Sequence, residues 1–277
     1  QVWNIKPMSD QRKWTLSTGD RLVEYMRWMM SESYNRSIFL YNDRLGCVSF
    51  VDSMGTDLTI VNSARVSFGR EKDELDQRDK RLIKYLVKHK HTSTFEHNVI
   101  TFKFVVPLFV RSQHHRHRTW SYNEISRRYT DKNMQFYLPE VFRTQHESNR
   151  QASNPEDLIN PKIWGEDSIL SKSSMTMADL LNLRTRECLD AYQTMLDRGV
   201  CREQARMILP QNLYTEYYGT CNLSNLLKFI DLRTHEGAQW EIQKVAEACL
   251  EIASDLWPVA VESYRDIKHG RIQKSTT

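Results

Sequence analysis

Apolar and polar positions alternate most regularly between residues 99 and 110. There Ile100, Phe102, Phe104 and Val106 interleave with Thr101, Lys103 and Val105 until Pro107 interrupts. A period of two is that of a strand with one buried face, and a proline belongs at its end. Residues 47–52 and 58–68, rich in Val, Ile, Ser and Thr around Met54-Gly55-Thr56-Asp57, read as two strands or as a strand and a turn. Elsewhere the period is helical. Leu22, Tyr25, Met26 and Met29 share one side of a short helix over 21–30, and residues 82–87 suit another that ends in Lys88-His89-Lys90. The last hundred residues read as helical throughout. Leu181, Cys188, Ala191, Tyr192, Met195 and Leu196 form a face stopped by Gly199. Helices over 201–209 and 223–232 follow, and the longest stripe runs from Trp240 through Val245 and Cys249 to Leu256.

Between these elements, a helix over 109–117 would carry Gln113, Arg116 and His117 at i, i+3 and i+4, facing one way. Asn123 and the polar residues after Ile125 read as loop. From residue 145 to about 175 the apolar period is lost and Gln, Ser, Asn, Pro and Asp dominate, as expected of a surface insertion. The expected architecture is α/β of the α+β type, a central, mostly antiparallel sheet with helices packed around it. One domain would span 46–277, preceded by a heterogeneous extension over 1–45.

Composition narrows the class. The chain has 277 residues, 40% of them apolar, enough for a sizeable core. Its 39 Lys and Arg against 35 Asp and Glu leave only +4, so the molecule as a whole is not an electrostatic glove for nucleic acid. Cys47, Cys188, Cys201, Cys221 and Cys249 contain no Cys-x-x-Cys pair, which favours reduced thiols and a cytoplasmic location. No run approaches the roughly 18 apolar residues of a membrane span, and no secretory leader pattern opens the chain.

The basic residues matter locally. Residues 116–129 hold four guanidiniums, an imidazole, an amide, a carboxylate and several hydroxyls within 14 positions. Arginine forks match phosphate or carboxylate oxygens two bonds at a time, whereas Asn123 and Glu124 suit a base or ring edge. Such a segment is too polar for a core. His91 and His97, six apart and without a cysteine, fit no metal-ligand spacing, so no metal is expected.

The spacing of this stretch resembles the signature of the flavin-dependent thymidylate synthases: Arg116-His117-Arg118, then Ser126, embedded with Ser121, Asn123, Glu124, Arg128 and Tyr129. Three further segments are similar to elements of that family. They are residues 91–97, the run from Arg202 through Arg206 to Pro210, and Leu232-Arg233 with Ala238-Gln239-Trp240-Glu241-Ile242. The resemblance implies reductive methylation of dUMP to dTMP, with FAD as hydride carrier, NADPH as reductant and 5,10-methylenetetrahydrofolate as carbon donor. It implies a homotetramer with FAD between subunits. Arg233 would be the catalytic residue. With Arg233, Gln113, Arg116, Glu124, Ser126, Arg127, Arg128 and Arg206 would hold dUMP. Ser93, Arg116, His117, Arg118, Glu124, Asn222, Ser224 and Lys228 would hold FAD, with His91 beside folate or NADPH. The chain departs from the pattern at Gly237, where the family often has His, at Ser224, where it has Arg, and at Lys228, where it has Asn.

Two other readings start from the same residues. A nucleic-acid-binding module would use residues 111–129 as a basic patch, with Trp120, Tyr122 and Tyr129 stacking on bases. A metal-dependent hydrolase would gather His91, His97, His114 and His117. Ser126 as a nucleophile needs a partnered base that the sequence does not offer.

Overall fold

The computed structural model describes residues 37–163 and 175–275; the helix expected over 21–30 lies outside them. In chain order come β1 (Ser37–Phe39), β2 (Cys47–Met54), α1 (Asp57–Arg65), α2 (Gln77–Lys88), β3 (Val99–Pro107), α3 (Leu108–His114) and β4 (Ser121–Glu124). The hairpin strands β5 (Phe142–Gln145) and β6 (Ser153–Ile159) and the short β7 (Lys162–Ile163) and β8 (Met175–Thr176) follow. The chain closes with α4 (Met177–Asp197), α5 (Arg202–Ala205), β9 (Tyr214–Asn222), α6 (Leu223–Arg233), α7 (Trp240–Leu256) and α8 (Pro258–Ser275).

Five strands form one antiparallel sheet in the order β1-β2-β3-β9-β4. Its axis is the expected strand: Ile100, Phe102, Phe104 and Val106 of β3 are all fully buried. Their face is covered by Leu226, Phe229 and Ile230 of α6, by Ile242, Val245, Ala246 and Cys249 of α7, and by Ala260 and Val261 of α8. The mixed architecture of helices around an antiparallel sheet is therefore the one expected. α2 also forms as read, but starts at Gln77, because Asp76 caps it by accepting the N–H groups of Arg78 and Asp79 at 2.7 and 2.9 Å.

Four segments differ from expectation. Residues 57–65 are a helix rather than a strand. Gly55 turns the chain at φ +86°, which strains any other residue, and a Cβ there would stand 3.0 Å from the Asn98 side chain. The buried Asp57 carboxylate then accepts the N–H groups of Val259 and Ala260 at 2.9 and 3.0 Å, so the first turn of α1 caps α8. Tertiary bonding of this kind overrides the strand propensity of Val and Ile. Asn123 is not loop, since β4 pairs with β9 from Ser121↔Thr220 to Glu124↔Tyr217. The region beyond residue 175 is not all helix, because β9 is an inner strand of the sheet. Its period was present: Thr215, Tyr217, Gly219 and Cys221 point one way and are buried, whereas Glu216 and Tyr218 are exposed. Finally, the expected insertion is not bare loop: its first part supplies β6, which pairs with β5 just before it, the register shifting between Arg143 and Thr144.

Gly219 is where the sheet is tightest. A Cβ there would sit 2.8 Å from the Phe104 ring and 3.3 Å from Trp120. Gly219→Ala should therefore destabilise the fold by about 1–3 kcal/mol through overpacking. Chemical denaturation would show this as a lower midpoint at unchanged slope, and an unchanged midpoint would mean that the two rings move aside freely.

Candidate functional site

β3 delivers the donor-rich stretch. Pro107, with φ fixed near that of a helix start, ends the strand and opens α3. α3 is shorter than read and ends at His114, so Arg116 and His117 do not extend its face. The cause lies in the next strand. The Tyr122 hydroxyl donates to the carbonyl oxygens of His114 and His117 at 3.0 and 3.1 Å, and the chain tightens into turns with His117 N–H on His114 C=O. His114 itself is fully buried among Phe104, Trp120, Tyr122, Tyr217 and Phe229, with Nδ1 2.8 Å from the Tyr217 hydroxyl. Burial first, then the neighbouring His117, drives its pKa well below the usual histidine range. His114 is a neutral structural residue. Trp120 is only 6% exposed, so the stacking platform that a nucleic-acid module needs is not available at that ring.

His117 meets Arg233. The guanidinium Nε donates to His117 Nε2 at 3.0 Å, and Nη2 donates to the Gln113 carbonyl at 3.2 Å. Arg233 reaches them from the last turn of α6. Partial burial, and secondarily the arginine, push His117 down to about 4. The imidazole is neutral at physiological pH, which leaves Nε2 as an acceptor. Behind this group, Gln113 Nε2 donates to Gln239 Oε1, and Gln239 Nε2 donates to Glu241 Oε2 at 2.9 Å.

A separate cleft of about 440 Å³ opens where β4 meets the loop before β9. Glu124, Ser126, Arg127 and Arg206 line it, together with Arg111, Met207, Gln211 and Thr215. Glu124 accepts from the Thr215 hydroxyl at 2.6 Å and stands 3.2 Å from Arg111 Nε. Arg127 Nη1 donates to the Lys132 carbonyl at 2.9 Å, and Arg206 Nε to the Glu203 carbonyl at 3.3 Å. The Ser126 hydroxyl oxygen accepts the Arg128 N–H at 3.3 Å, and no histidine lines the cleft. Arg128 itself pairs with Glu203 at 3.2 Å on the surface.

A third cavity of about 290 Å³ lies between the end of α2 and the start of α6. It gathers His91, Ser224 and Lys228 with Lys88, Lys90, Phe95 and Tyr264. Ser224 Oγ is buried there with no hydrogen-bond partner, a vacancy that an acceptor or donor on a ligand would fill. Asn222 caps α6 by accepting the Asn225 N–H at 2.9 Å. Ser93, Arg116 and Arg118 are exposed.

The expected site residues thus fall into three groups: Glu124, Ser126, Arg127 and Arg206; Gln113, His117 and Arg233; His91, Ser224 and Lys228. Reading the sequence used Arg111 only in the basic patch of the nucleic-acid alternative, missed Thr215 and Arg143, and gave Gln239 and Glu241 no part. Arg111 follows the strand by one helical turn, a signal available in the sequence. The Arg143 contact to Glu241, between residues 98 apart, had no local signal. Among the described residues, no group of three or more His, Cys, Asp or Glu side chains is assembled to hold a metal ion, and His91 and His97 are exposed. No helix among them is long and apolar enough to cross a membrane, and all five cysteines are free thiols.

The model of the family described as thymidylate synthase complementing protein matches residues 49–259. The flavin-dependent thymidylate synthase of Thermus thermophilus is 42% identical over 221 residues, covering 80% of this chain and 76% of the relative. That of Thermotoga neapolitana is 39% identical over 220 residues, covering 79% and 90%. The chain belongs to the flavin-dependent thymidylate synthase family. A solved structure with a similar fold is a UMP/dUMP methylase, PolB, from Streptomyces cacaoi bound with 5-Br dUMP. It has a TM-score of 0.67 and 33% identity, over 83% of this chain and 97% of that one.

The His117–Arg233 contact has a pH signature. Unfolded histidine titrates near 6.5, whereas folded His117 titrates at about 4. Above pH 6.5 the residue is neutral in both states, and its contact contributes in full. Between 6.5 and 4 the unfolded chain takes up a proton that the folded chain refuses, so stability falls as pH drops. The melting temperature of the wild type should fall more steeply from pH 7 to pH 4.5 than that of His117→Asn. Parallel curves would rule out a depressed His117.

Proposed function

We propose that this member of the family methylates dUMP to dTMP, taking the carbon from 5,10-methylenetetrahydrofolate and the hydride from FAD reduced by NADPH. One observation carries the reading. Arg127, Arg206 and Arg233 all donate to neutral acceptors, two backbone carbonyls for the first two and, for Arg233, the neutral imidazole of His117 and the Gln113 carbonyl. Their charge is left for an anion, as a nucleotide phosphate and an electron-rich pyrimidine require.

In this reading the cleft holds the nucleotide. Arg206, Arg127 and Arg128 neutralise the phosphate, while Ser126 and Glu124 give hydrogen bonds that orient sugar and base. Arg233, with Gln113 and Arg116, faces the pyrimidine. Arginine is no general base near neutral pH, so Arg233 acts by stabilising the negative charge that gathers on the ring as C5 becomes nucleophilic. Its hydrogen bonds to the accepting His117 Nε2 and Gln113 carbonyl keep it in place, so little reorganisation is required. Flavin would supply hydride chemistry without an enzyme thiol. Burial raises the thiol of Cys47 to about 11 and holds those of Cys221 and Cys249 well above the usual range, and no cysteine lines either the cleft or the third cavity.

The residues fit a flavin. The third cavity joins an apolar wall, three lysines against one carboxylate (Asp231), His91 and the unpartnered Ser224 hydroxyl, a net positive lining that suits a planar anionic group. Lys228 lies one helical turn beyond Ser224, so positive charge is kept on that face although Ser224 replaces the family's arginine. Asn222, Ser93, His117 and Arg118 complete the proposed FAD set, and His91 stands nearest folate or NADPH. Because the three groups of residues are separate in one chain, we assign the complete site to a homotetramer in which one subunit's cleft meets another's flavin. The reaction belongs in the cytoplasm, where its co-substrates are made.

The purified protein, loaded with FAD, should be yellow and bleach with NADPH, and should form dTMP from dUMP and the folate. Arg233→Ala should lower turnover roughly a hundredfold to a thousandfold while the flavin stays bound. A colourless protein that cannot be reconstituted with FAD defeats the reading. Ser126→Ala should retain substantial turnover with weaker dUMP binding, whereas complete loss at unchanged affinity would mark Ser126 as a nucleophile.

A further inference from the structure

From Gln113 a polar chain runs to the β5–β6 hairpin. Gln113 Nε2 donates to Gln239 Oε1, and Gln239 Nε2 donates to Glu241 Oε2 at 2.9 Å. The other carboxylate oxygen, Oε1, accepts from Arg143 Nη2 at 2.6 Å and from the Tyr137 hydroxyl at 3.3 Å. The Glu241 side chain is only 5% exposed, and that of Arg143 20%. Arg143 comes from the β5–β6 hairpin. Its guanidinium lies 5.0 Å from the centre of the Trp240 ring, and its Nε donates to Ser153 Oγ at 3.0 Å.

The sense of each bond follows from chemistry. A carboxylate facing a guanidinium only accepts, so Gln239 must turn its NH2 to Glu241 and its oxygen to Gln113. Gln113 must then offer an N–H inward. Its own oxygen and second N–H take no part in the chain and are left in a defined arrangement. Without the charge at 241, each amide has two orientations that the network no longer tells apart.

We propose that Glu241, seated on Arg143, is a positioning residue: through Gln239 it sets which way the Gln113 amide faces and so the hydrogen-bond pattern offered to dUMP. This rests on the reading of Gln113 as a dUMP contact. It makes the hairpin, whose second strand falls in the stretch that the sequence marks only as an insertion, part of the support of the site. Arg233 leans on the Gln113 backbone rather than its amide, so the effect falls on nucleotide binding more than on the chemical step.

The test is a double-mutant cycle on the flavin-loaded full chain, with dUMP affinity read by calorimetry and kcat and KM by dTMP formation. Glu241→Gln should weaken dUMP binding roughly tenfold, the scale of one charge-assisted hydrogen bond. In a Gln113→Met background the same change should have little further effect, since the amide it orients is gone. KM for dUMP should rise while kcat changes little. Arg143→Met, which leaves position 241 intact, should reproduce the loss, and Arg143→Lys should recover part of it. If Glu241→Gln does not fold, the cycle is run with Arg143→Met. Additive losses in the cycle, or a fall in kcat at constant KM, overturn the proposal while leaving the function standing. A flavin-loaded wild type that does not bind dUMP overturns both.

Discussion

The pairing of β3 with β9 is the constraint on which the site depends. It runs without a break from Val99↔Asn222 to Pro107↔Tyr214, and each end of the ladder launches a different part of the chemistry. At the Pro107 end, β3 passes into α3 and the donor-rich stretch, while the loop entering β9 brings Arg206. At the other end, Asn222 leaves β9 and caps α6, beside the cavity of Ser224 and Lys228. α6 has 11 residues, and at 1.5 Å per residue it runs back about 16 Å along the sheet. That return places Arg233 against His117 and Gln113. A slip of one residue in this ladder would turn Tyr217 and Phe104 to the wrong face and separate Thr215 from Glu124.

The aromatic cluster around His114 turns this ladder into a rigid platform. Phe104 and Tyr217 face each other across the two strands at 5.0 Å between ring centres, and the His114 imidazole closes the layer from α3. A histidine that stays neutral suits this place, since a charge among those rings would lack both water and a counter-ion. Gly219 leaves room for the Trp120 and Phe104 rings, so the layer is packed by a missing side chain as much as by those present. Tyr122, held in the same layer, then fixes two carbonyls of the turn that carries Arg116 and His117.

The β3 strand, the covering helices and the donor stretch were legible because each rests on local period or composition. The alternation of β3 predicts its burial, and the stripe through Val245 and Cys249 predicts the buried face of α7. The missed elements owe their form to partners far away in sequence. α1 looks like a strand from Ile60 and Val61, but Asp57 is tied to residues more than 200 positions on. β9 carries an alternating pattern, yet its tyrosines and its glycine suit a strand only once Phe104 and Trp120 are known to face them. The site divides in the same way. Arginines and a serine can be recognised by spacing, whereas the Gln113–Gln239–Glu241–Arg143 chain joins three separate elements and has no sequence signature beyond Gln239 and Glu241 lying two apart.

How the arginines are held separates those that meet a carboxylate from those held by neutral acceptors. Arg65, Arg143 and Arg184 each meet a carboxylate, Asp79, Glu241 and Glu187 respectively. Their charge is cancelled within a few ångströms, and an approaching phosphate gains little from them. Arg127, Arg206 and Arg233 are held instead by carbonyls and a neutral imidazole. Such acceptors fix direction without cancelling charge. Partial burial already lowers the pKa of Arg127 and Arg233, so a positive charge is being kept where water screens it poorly, at a cost in folding free energy. An anion repays that cost, since two unit charges 4 Å apart attract by about 4 kcal/mol at an effective dielectric of 20 against about 1 kcal/mol in water. Arg128 and Arg111 mark the boundary. Each stands 3.2 Å from a carboxylate, Arg111 from Glu124 in the lining of the cleft and Arg128 from Glu203 on the surface outside it. A phosphate would have to compete with Glu203 for Arg128, whereas it would find Arg206 and Arg127 already oriented and without a counter-ion in hydrogen-bond contact.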